Sequence, residues 1–209
     1  FIIMSNCNCP LPTALTTIDA QGCPFNLGQL QRIFITRKTS ATFPLTVASA
    51  DPAVAATWSS LYTAVDDTKV VKTPLVGGNP QIVGGAAITQ GGNDNSTLNG
   101  EVEVVGTESS VFSADFKDLS PAIATAMKTL KCEDLLIFFI NDNGDIIGTS
   151  EDGGTTFTGV SVNGKSFLSD RSNTGIGSKD VNTLSFNLAP GWDDYLTKVT
   201  PTDFNALTV

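Results

Sequence analysis

Leu135-Leu136-Ile137-Phe138-Phe139-Ile140 is the longest apolar run in this 209-residue chain. It is followed by Asn141-Asp142-Asn143-Gly144-Asp145 and then by Ile146-Ile147-Gly148. The first six residues have the length of a buried strand. The Asn-Gly pair that follows is typical of a hairpin turn. The Asp/Asn run also resembles a calcium loop, but an EF-hand requires flanking helices and a glutamate at position 12 of the loop. The stretch therefore predicts a β-hairpin at the centre of a sheet.

Further strands are predicted on both sides of this hairpin. Val181 to Leu188 alternates apolar Leu184, Phe186 and Leu188 with polar residues, which indicates one buried and one solvated face. The other predicted strands are rich in β-branched or aromatic residues and cover Gln31 to Lys38, Val102 to Val105, Val111 to Phe116, Thr155 to Val162 and Lys165 to Leu168. The chain is therefore expected to be mainly β.

Two helices complete the predicted elements. Asp51-Pro52 is typical of a helix start, and we expect this helix to continue to about Ala64. Ser120-Pro121 repeats the pattern for a helix that ends near Lys131. Each helix carries an apolar stripe, which we interpret as core packing; the stripes consist of Val54, Trp58, Leu61, Tyr62 and Val65, and of Ile123, Met127 and Leu130.

Three Gly-Gly pairs recur at seven-residue spacing between short β-prone pieces. Glycine within extended chain marks a bulge, a bend or a close backbone approach. We therefore predict a bendable β-arm over about residues 75–100 that contacts other subunits more than its own domain. The residues assigned to this inter-subunit arm are Gly77, Gly78, Gly84, Gly85, Gly91, Gly92, Asn93 and Asn95.

The remaining chain is divided into an irregular lead-in over residues 1–28 and a single β-rich domain over residues 29–209. A C-terminal segment from Pro190 to Phe204 is expected to have irregular backbone. Its aromatic residues Trp192, Tyr195 and Phe204 are predicted docking anchors, either on the chain's own domain or on a neighbour.

Composition narrows the possible functions. A hydrophobic content of 41% with 16% charged residues argues against disorder, and no apolar run approaches the roughly 20 residues of a membrane helix. The formal net charge of -9 opposes tight binding to nucleic acid, although DNA could pass such a surface without specific binding. The chain has no histidine, which removes the usual catalytic triads and most zinc hydrolases. We therefore expect no enzyme, no cofactor and no membrane partner.

The cysteines and paired carboxylates leave alternatives open. Cys7, Cys9 and Cys23 could hold a metal with a fourth ligand, or could be free or loosely paired thiols; Cys132 closes the second predicted helix. Glu101 and Glu103 could act as an acid/base pair of the glycosidase kind, but an acidic stripe on a solvent-facing strand is favoured. The opening residues lack the charged start of a secretory signal, and Met4 is a possible true start.

Several short segments of the sequence resemble structural proteins of tailed bacteriophages that infect Bacteroidetes-type hosts, including crAss-like phages. They are residues 91–100, Val104-Val105-Gly106, Leu119-Ser120-Pro121-Ala122-Ile123, Pro190-Gly191-Trp192-Asp193-Asp194 and residues 199–204. These short matching segments lie within roughly residues 70 to 209, and none of them is an active-site motif. The resemblance indicates a virion protein, and among virion proteins a tail tube or tail ring protein.

The resemblance implies a β-sandwich or barrel of the tail-tube type, with two packed helices and a long arm. It also implies a homo-oligomer, commonly a hexameric ring, which joins other virion proteins around the DNA path. The expected location is the virion tail, after assembly in the host cytoplasm. Two alternatives stay open: a capsid decoration or head-fibre protein, and a carbohydrate-binding or hydrolysing β-sandwich that would hold Trp192 or Trp58 open beside carboxylates.

Overall fold

The fold is built around the apolar strand that begins at Leu135. We describe it from a computed structural model that covers residues 25–40, 42–92 and 96–209. The strands are β1 (Leu30–Arg37), β2 (Leu45–Thr46), β3 (Val71–Lys72), β4 (Gly78–Val83), β5 (Ala87–Gln90), β6 (Glu103–Thr107), β7 (Ser110–Lys117), β8 (Leu135–Asn141), β9 (Ile146–Thr149), β10 (Thr156–Phe157), β11 (Val160–Leu168), β12 (Val181–Leu188) and β13 (Leu196–Val199). The helices are α1 (Ala55–Thr63) and α2 (Pro121–Thr129), and two short 3-10 turns cover Leu98–Gly100 and Leu130–Cys132.

Strand β8 is buried along its whole length because other elements cover both of its faces. One of its edges pairs with β1, and its other edge is shared between β9 and β11. The predicted hairpin of β8 and β9 is confirmed. Its turn is held by the side-chain oxygen of Asn141, which accepts the backbone N–H groups of Asn143 and Asp145, while Gly144 takes a φ of 81°.

The main sheet has the order β13-β9-β8-β11-β12-β7-β4, and β1 and β3 are attached beside β8. All its pairings are antiparallel. The sheet curls and so brings Phe112 on β7 into contact with both Phe139 on β8 and Phe186 on β12, with ring centroids 5.4 and 4.6 Å apart. It does not close into a complete barrel. The expectation of a mainly β chain with two helices is confirmed.

A second core lies on the outer face of β1 and β8. Phe34 and Phe138 pack there against Trp58 of α1, with ring centroids 5.5 and 5.3 Å from the indole. Helix α2 instead contributes Met127 to the inner core. The interpretation of the stripes as packing is confirmed for most of their residues, but Val65 of the first stripe and Ile123 of the second are 99% and 42% exposed. Within the described ranges, no helix has the length and apolarity needed to cross a membrane.

The predicted start of the first helix, with Asp51 as the cap and Pro52 as the first helical residue, is three residues too early. Asp51 caps a turn through the N–H of Ala53 at 2.8 Å, and the helix begins at Ala55. The N–H of Ala55 donates instead to the carboxylate of Asp203, at 2.7 Å, from the C-terminal segment. The start of α2 is as predicted, since the Ser120 hydroxyl accepts the N–H of Ile123 at 3.3 Å.

Some strand bounds also differ from the predicted ones. The separate strands predicted at Thr155 to Val162 and Lys165 to Leu168 are largely one strand, β11, whose register with β12 shifts between Asn163 and Phe167. The C-terminal segment was predicted to be irregular, but it contains β13, which pairs with β9. The short strands β2 and β3 were not predicted either, because two residues carry no recognisable periodicity. Of the predicted lead-in, residues 1–24 lie outside the described ranges.

Candidate inter-subunit site

A hairpin formed by β5 and β6 projects from the body; we call residues 84–109 the arm. The two strands pair with each other in a separate two-stranded sheet. Every residue of β5 is exposed, as are all residues of β6 except Gly106. A lone two-stranded hairpin is marginally stable in water. The described part of the chain therefore presents both faces of the arm to solvent or to a partner.

The exposed surface of the arm is apolar and acidic. Ile88, Val102, Val104 and Val105 are 45%, 64%, 68% and 55% exposed, respectively. The chain has no lysine or arginine between Lys72 and Lys117, so the arm's charged side chains are all carboxylates. Exposed aliphatic side chains on a hairpin leave apolar surface that a partner can cover.

The first Gly-Gly pair lies in the body and not in the arm. Gly77 donates its N–H to the carbonyl of Asp115 at 2.6 Å, and β4 then pairs with β7. A Cβ at Gly77 would lie 2.7 Å from Cγ and 2.9 Å from N of Lys117, whereas one at Gly78 would have nothing nearer than 3.6 Å. The predicted start of the arm near residue 75 is therefore too early, because residues 76–83 bond and pack within their own domain.

The second pair forms the root of the arm. A Cβ at Gly85 would lie 1.8 Å from the carbonyl oxygen of Glu108, so no other residue fits without moving the backbone. A Cβ at Gly84 would meet nothing within 4 Å. The Ser110 hydroxyl accepts the N–H of Gly85 at 3.3 Å and the indole N–H of Trp192 at 3.1 Å. One hydroxyl, at the start of β7, thus ties the root of the arm to the C-terminal segment.

The third pair lies near the tip of the arm. Gly91 and Gly92 have φ values of 90° and 92°, which favour glycine over other residues. A Cβ at Gly91 would lie 2.1 Å from the carbonyl oxygen of Glu101. The predicted site residues Asn93 and Asn95 lie outside the described ranges.

The three predicted anchors have different surroundings. Trp192 is half-buried and packs edge-on against Phe139, with ring centroids 6.5 Å apart. Phe204 packs against the second core. Tyr195 is 54% exposed and is thus the anchor most open to a neighbour. Trp192 and Phe204 dock on the chain's own domain.

A groove of about 380 Å³ lies at the root of the arm and is lined in part by Ile82, Gly84, Gly85, Trp192 and Asp193. The carbohydrate alternative expects an aromatic ring open beside a carboxylate, and Trp192 with Asp193 has this composition. Trp58 does not, because it is fully buried and donates its indole N–H to the carbonyl of Pro52 at 2.8 Å. That part of the alternative is wrong.

Residues 25–40, 42–92 and 96–209 contain little that supports either the metal site or the acid/base pair considered from the sequence. No group of three or more Cys, Asp or Glu residues in these ranges is arranged to hold a metal. Cys132 is a free, exposed thiol, while Cys7, Cys9 and Cys23 lie outside the ranges. Glu101 and Glu103 are both exposed, which is consistent with the acidic-stripe interpretation.

The turn that resembles a calcium loop uses its buried carboxylate internally. Asp145 is 4% exposed and accepts the Thr200 hydroxyl at 2.7 Å and the Asn141 amide at 3.1 Å; Lys198 Nζ lies 3.4 Å away. Burial raises the pKa of Asp145, but these hydrogen bonds and the lysine outweigh burial and hold the pKa below its ordinary value. Asp145 therefore fastens the turn to the segment after β13.

Sequence reasoning missed the role of Ser110. Its position at the start of an alternating strand gives no sign that its hydroxyl faces both Gly85 and Trp192, since these partners are 25 and 82 residues away. Asp203 was likewise missed as a helix cap. Comparisons with protein-family models, curated proteins and solved structures found no match to this chain.

Proposed function

We propose that this chain is a non-enzymatic structural subunit of a bacteriophage virion, of the tail tube or tail ring type. The observation that carries the proposal is the arm, whose apolar residues Ile88, Val102, Val104 and Val105 stay 45–68% exposed within the described part of the chain. The short segments that resemble virion proteins support the same function. In this proposal the chains assemble into a ring or tube around the DNA path, and the arms bury their apolar surface between subunits.

Two physical arguments favour assembly over a soluble monomeric role. Burying apolar surface yields about 25 cal/mol per Å², so a partner that covers the arm stabilises both chains. The net charge of -9 disfavours adhesion to phosphates, which suits a subunit past which DNA moves without specific binding. Other virion proteins are the further partners, the tail is the location, and the host cytoplasm is where assembly takes place.

The proposal is tested by electron microscopy and light scattering on the purified chain over a concentration series. We expect rings or tubes, with a mass that is a fixed multiple of the chain. A chain that stays monomeric under all conditions would contradict the proposal. If labelling of whole particles finds the arm open to solvent, the decoration or head-fibre alternative is favoured instead.

The groove at the root of the arm leaves carbohydrate binding as a second function to be tested. A glycan array distinguishes it, because the carbohydrate alternative expects binding that is lost in Trp192→Ala. The structural proposal expects no binding in either form.

A further inference from the structure

The ends of the sheets differ in how well they are protected against pairing with another chain. Proteins protect edge strands with proline, charge, bulges or very short length. Strands β2, β3 and β10 are two residues long. Strand β4 contains Pro80 and has Asn79 at a φ of 45°, and β13 carries Lys198. Each of these edges therefore has at least one protective feature.

The two strands of the arm differ in the same respect. Strand β6 carries Glu103, and its register with β5 shifts between Ile88 and Thr89, which leaves Val105 without a partner. Strand β5, Ala87-Ile88-Thr89-Gln90, has no charge, no proline and four exposed residues. Within the described ranges, its backbone bonds only to β6. Its outer edge is long enough to pair and lacks all four protective features.

We propose that β5 of one copy pairs with β5 of a second copy, which forms a four-stranded arm sheet in the order β6-β5-β5-β6. Two copies of the same edge can meet only across a two-fold axis, so the new pair is antiparallel. The other sheet-end strands of a partner are protected, which leaves the partner's β5 as the complementary edge. Ile88 of each copy lies in the new pair of strands, where its side chain becomes less exposed to solvent.

The charges of the arm favour this order of strands. Glu103 lies on β6, so the carboxylates of the two copies occupy the outer strands, which are roughly 14 Å apart for three strand spacings. This separation exceeds the screening length of about 8 Å at physiological salt. Pairing through β6 would instead bring the carboxylates of two copies together.

This contact rests on the proposed self-assembly, because it needs a second copy. Four residues a side bury less than the roughly 1,200 Å² of a stable interface, so the contact alone is weak and concentration-dependent. Because it has two-fold symmetry, it joins two chains and does not propagate. A ring or tube therefore needs a second, head-to-tail contact elsewhere on the chain.

The test compares two lysine substitutions on the same hairpin by sedimentation velocity over a concentration series. Ile88→Lys charges the unprotected strand, whereas Val104→Lys places the same side chain on the already protected β6. We expect Ile88→Lys to weaken the two-fold β5 pairing by about tenfold or more and Val104→Lys to leave that pairing nearly unchanged. Thr89→Lys, on the same exposed strand, is expected to repeat the effect of Ile88→Lys.

Amide hydrogen exchange supplies a second readout. Concentrating the wild-type chain should slow exchange in residues 87–90 but not at the outward-facing amides of β6. If the chain associates and Ile88→Lys behaves as wild type, the β5 pairing is overturned while the proposed assembly stands. If no association occurs at any concentration, both are overturned.

Discussion

Asp145 shows how one side chain connects distant parts of this chain. It lies in the turn between β8 and β9, and its partners Thr200 and Lys198 belong to the C-terminal segment. A carboxylate whose pKa is lowered on folding stabilises the folded state above the pKa of the unfolded chain. That stabilisation is lost as the pH falls through the lower, folded-state pKa. Asp145 therefore makes the attachment of the C-terminal segment dependent on pH.

We predict that Asp145→Asn lowers the free energy of unfolding at neutral pH by about 1–3 kcal/mol, because charge-assisted hydrogen bonds are lost from a buried site. Below about pH 4 the difference between wild type and variant should shrink, since the carboxylate of the unfolded wild-type chain then takes up a proton that the folded chain does not yet bind. Denaturant unfolding at several pH values measures both effects. Asp67→Asn is the control, because its side chain is exposed, and we expect no measurable change. A pH-independent difference for Asp145→Asn would contradict the prediction.

At the scale of elements, local sequence predicted helices and long strands but not their distant caps. The Asp51-Pro52 pattern predicted a helix start, yet Asp51 closes a turn before the helix, and α1 is capped by Asp203. A cap that comes from 148 residues away leaves no local pattern. Ser120 caps α2 from the neighbouring residues, so its signature was readable. The difference between the two helices is thus the sequence distance of the capping group.

The same reasoning applies to the arm. Glycine pairs predicted extended chain with close backbone approaches, and Gly77, Gly85 and Gly91 each have one. The pattern could not show that β4 pairs with β7, because this pairing depends on a strand that begins more than 25 residues after β4 itself. The arm therefore begins at Gly84, and not near residue 75.

The two glycines of the arm root should respond differently to alanine. Gly85→Ala places a methyl group against the Glu108 carbonyl, so we expect the root to open and amide exchange in residues 86–107 to speed up by about tenfold or more. Gly84→Ala has open space and should leave stability within about 0.5 kcal/mol of wild type. Exchange measured by mass spectrometry on both variants checks the pair. Equal exchange in the two would show that the root tolerates a displaced backbone.

At the scale of the whole molecule, the sequence predicted a mainly β chain with two helices, but it did not predict how the main sheet curves. The alternation in β12 indicated that one of its faces is buried, and the apolar run of β8 indicated a strand that is buried throughout. The contact of Phe112 with Phe139, which brings β7 opposite β8, depends on how the sheet coils. No period in the sequence encodes that coiling, because it arises from the summed twist of many strands.

The body and the arm should be separable. Joining Gly85 to Glu108 through an Asn-Gly turn removes β5 and β6, whose contacts are chiefly with each other. We expect the free energy of unfolding of the body to change by less than about 1 kcal/mol, while the two-fold pairing of chains through β5 is lost. Thermal unfolding and light scattering on the same preparation measure the two outcomes. Strong association of the armless chain would place the main subunit contact on the body.

The absence of lysine and arginine between Lys72 and Lys117 has a consequence for proteolysis. Trypsin-like proteases cleave after these two residue types and therefore find no cleavage site in the arm, although the arm is exposed. A particle that carries many such arms would keep them whole in a trypsin-rich medium, with or without a neighbour to cover them. Proteases that cut after glutamate, which reach Glu101, Glu103 and Glu108, would instead report whether a neighbour is there.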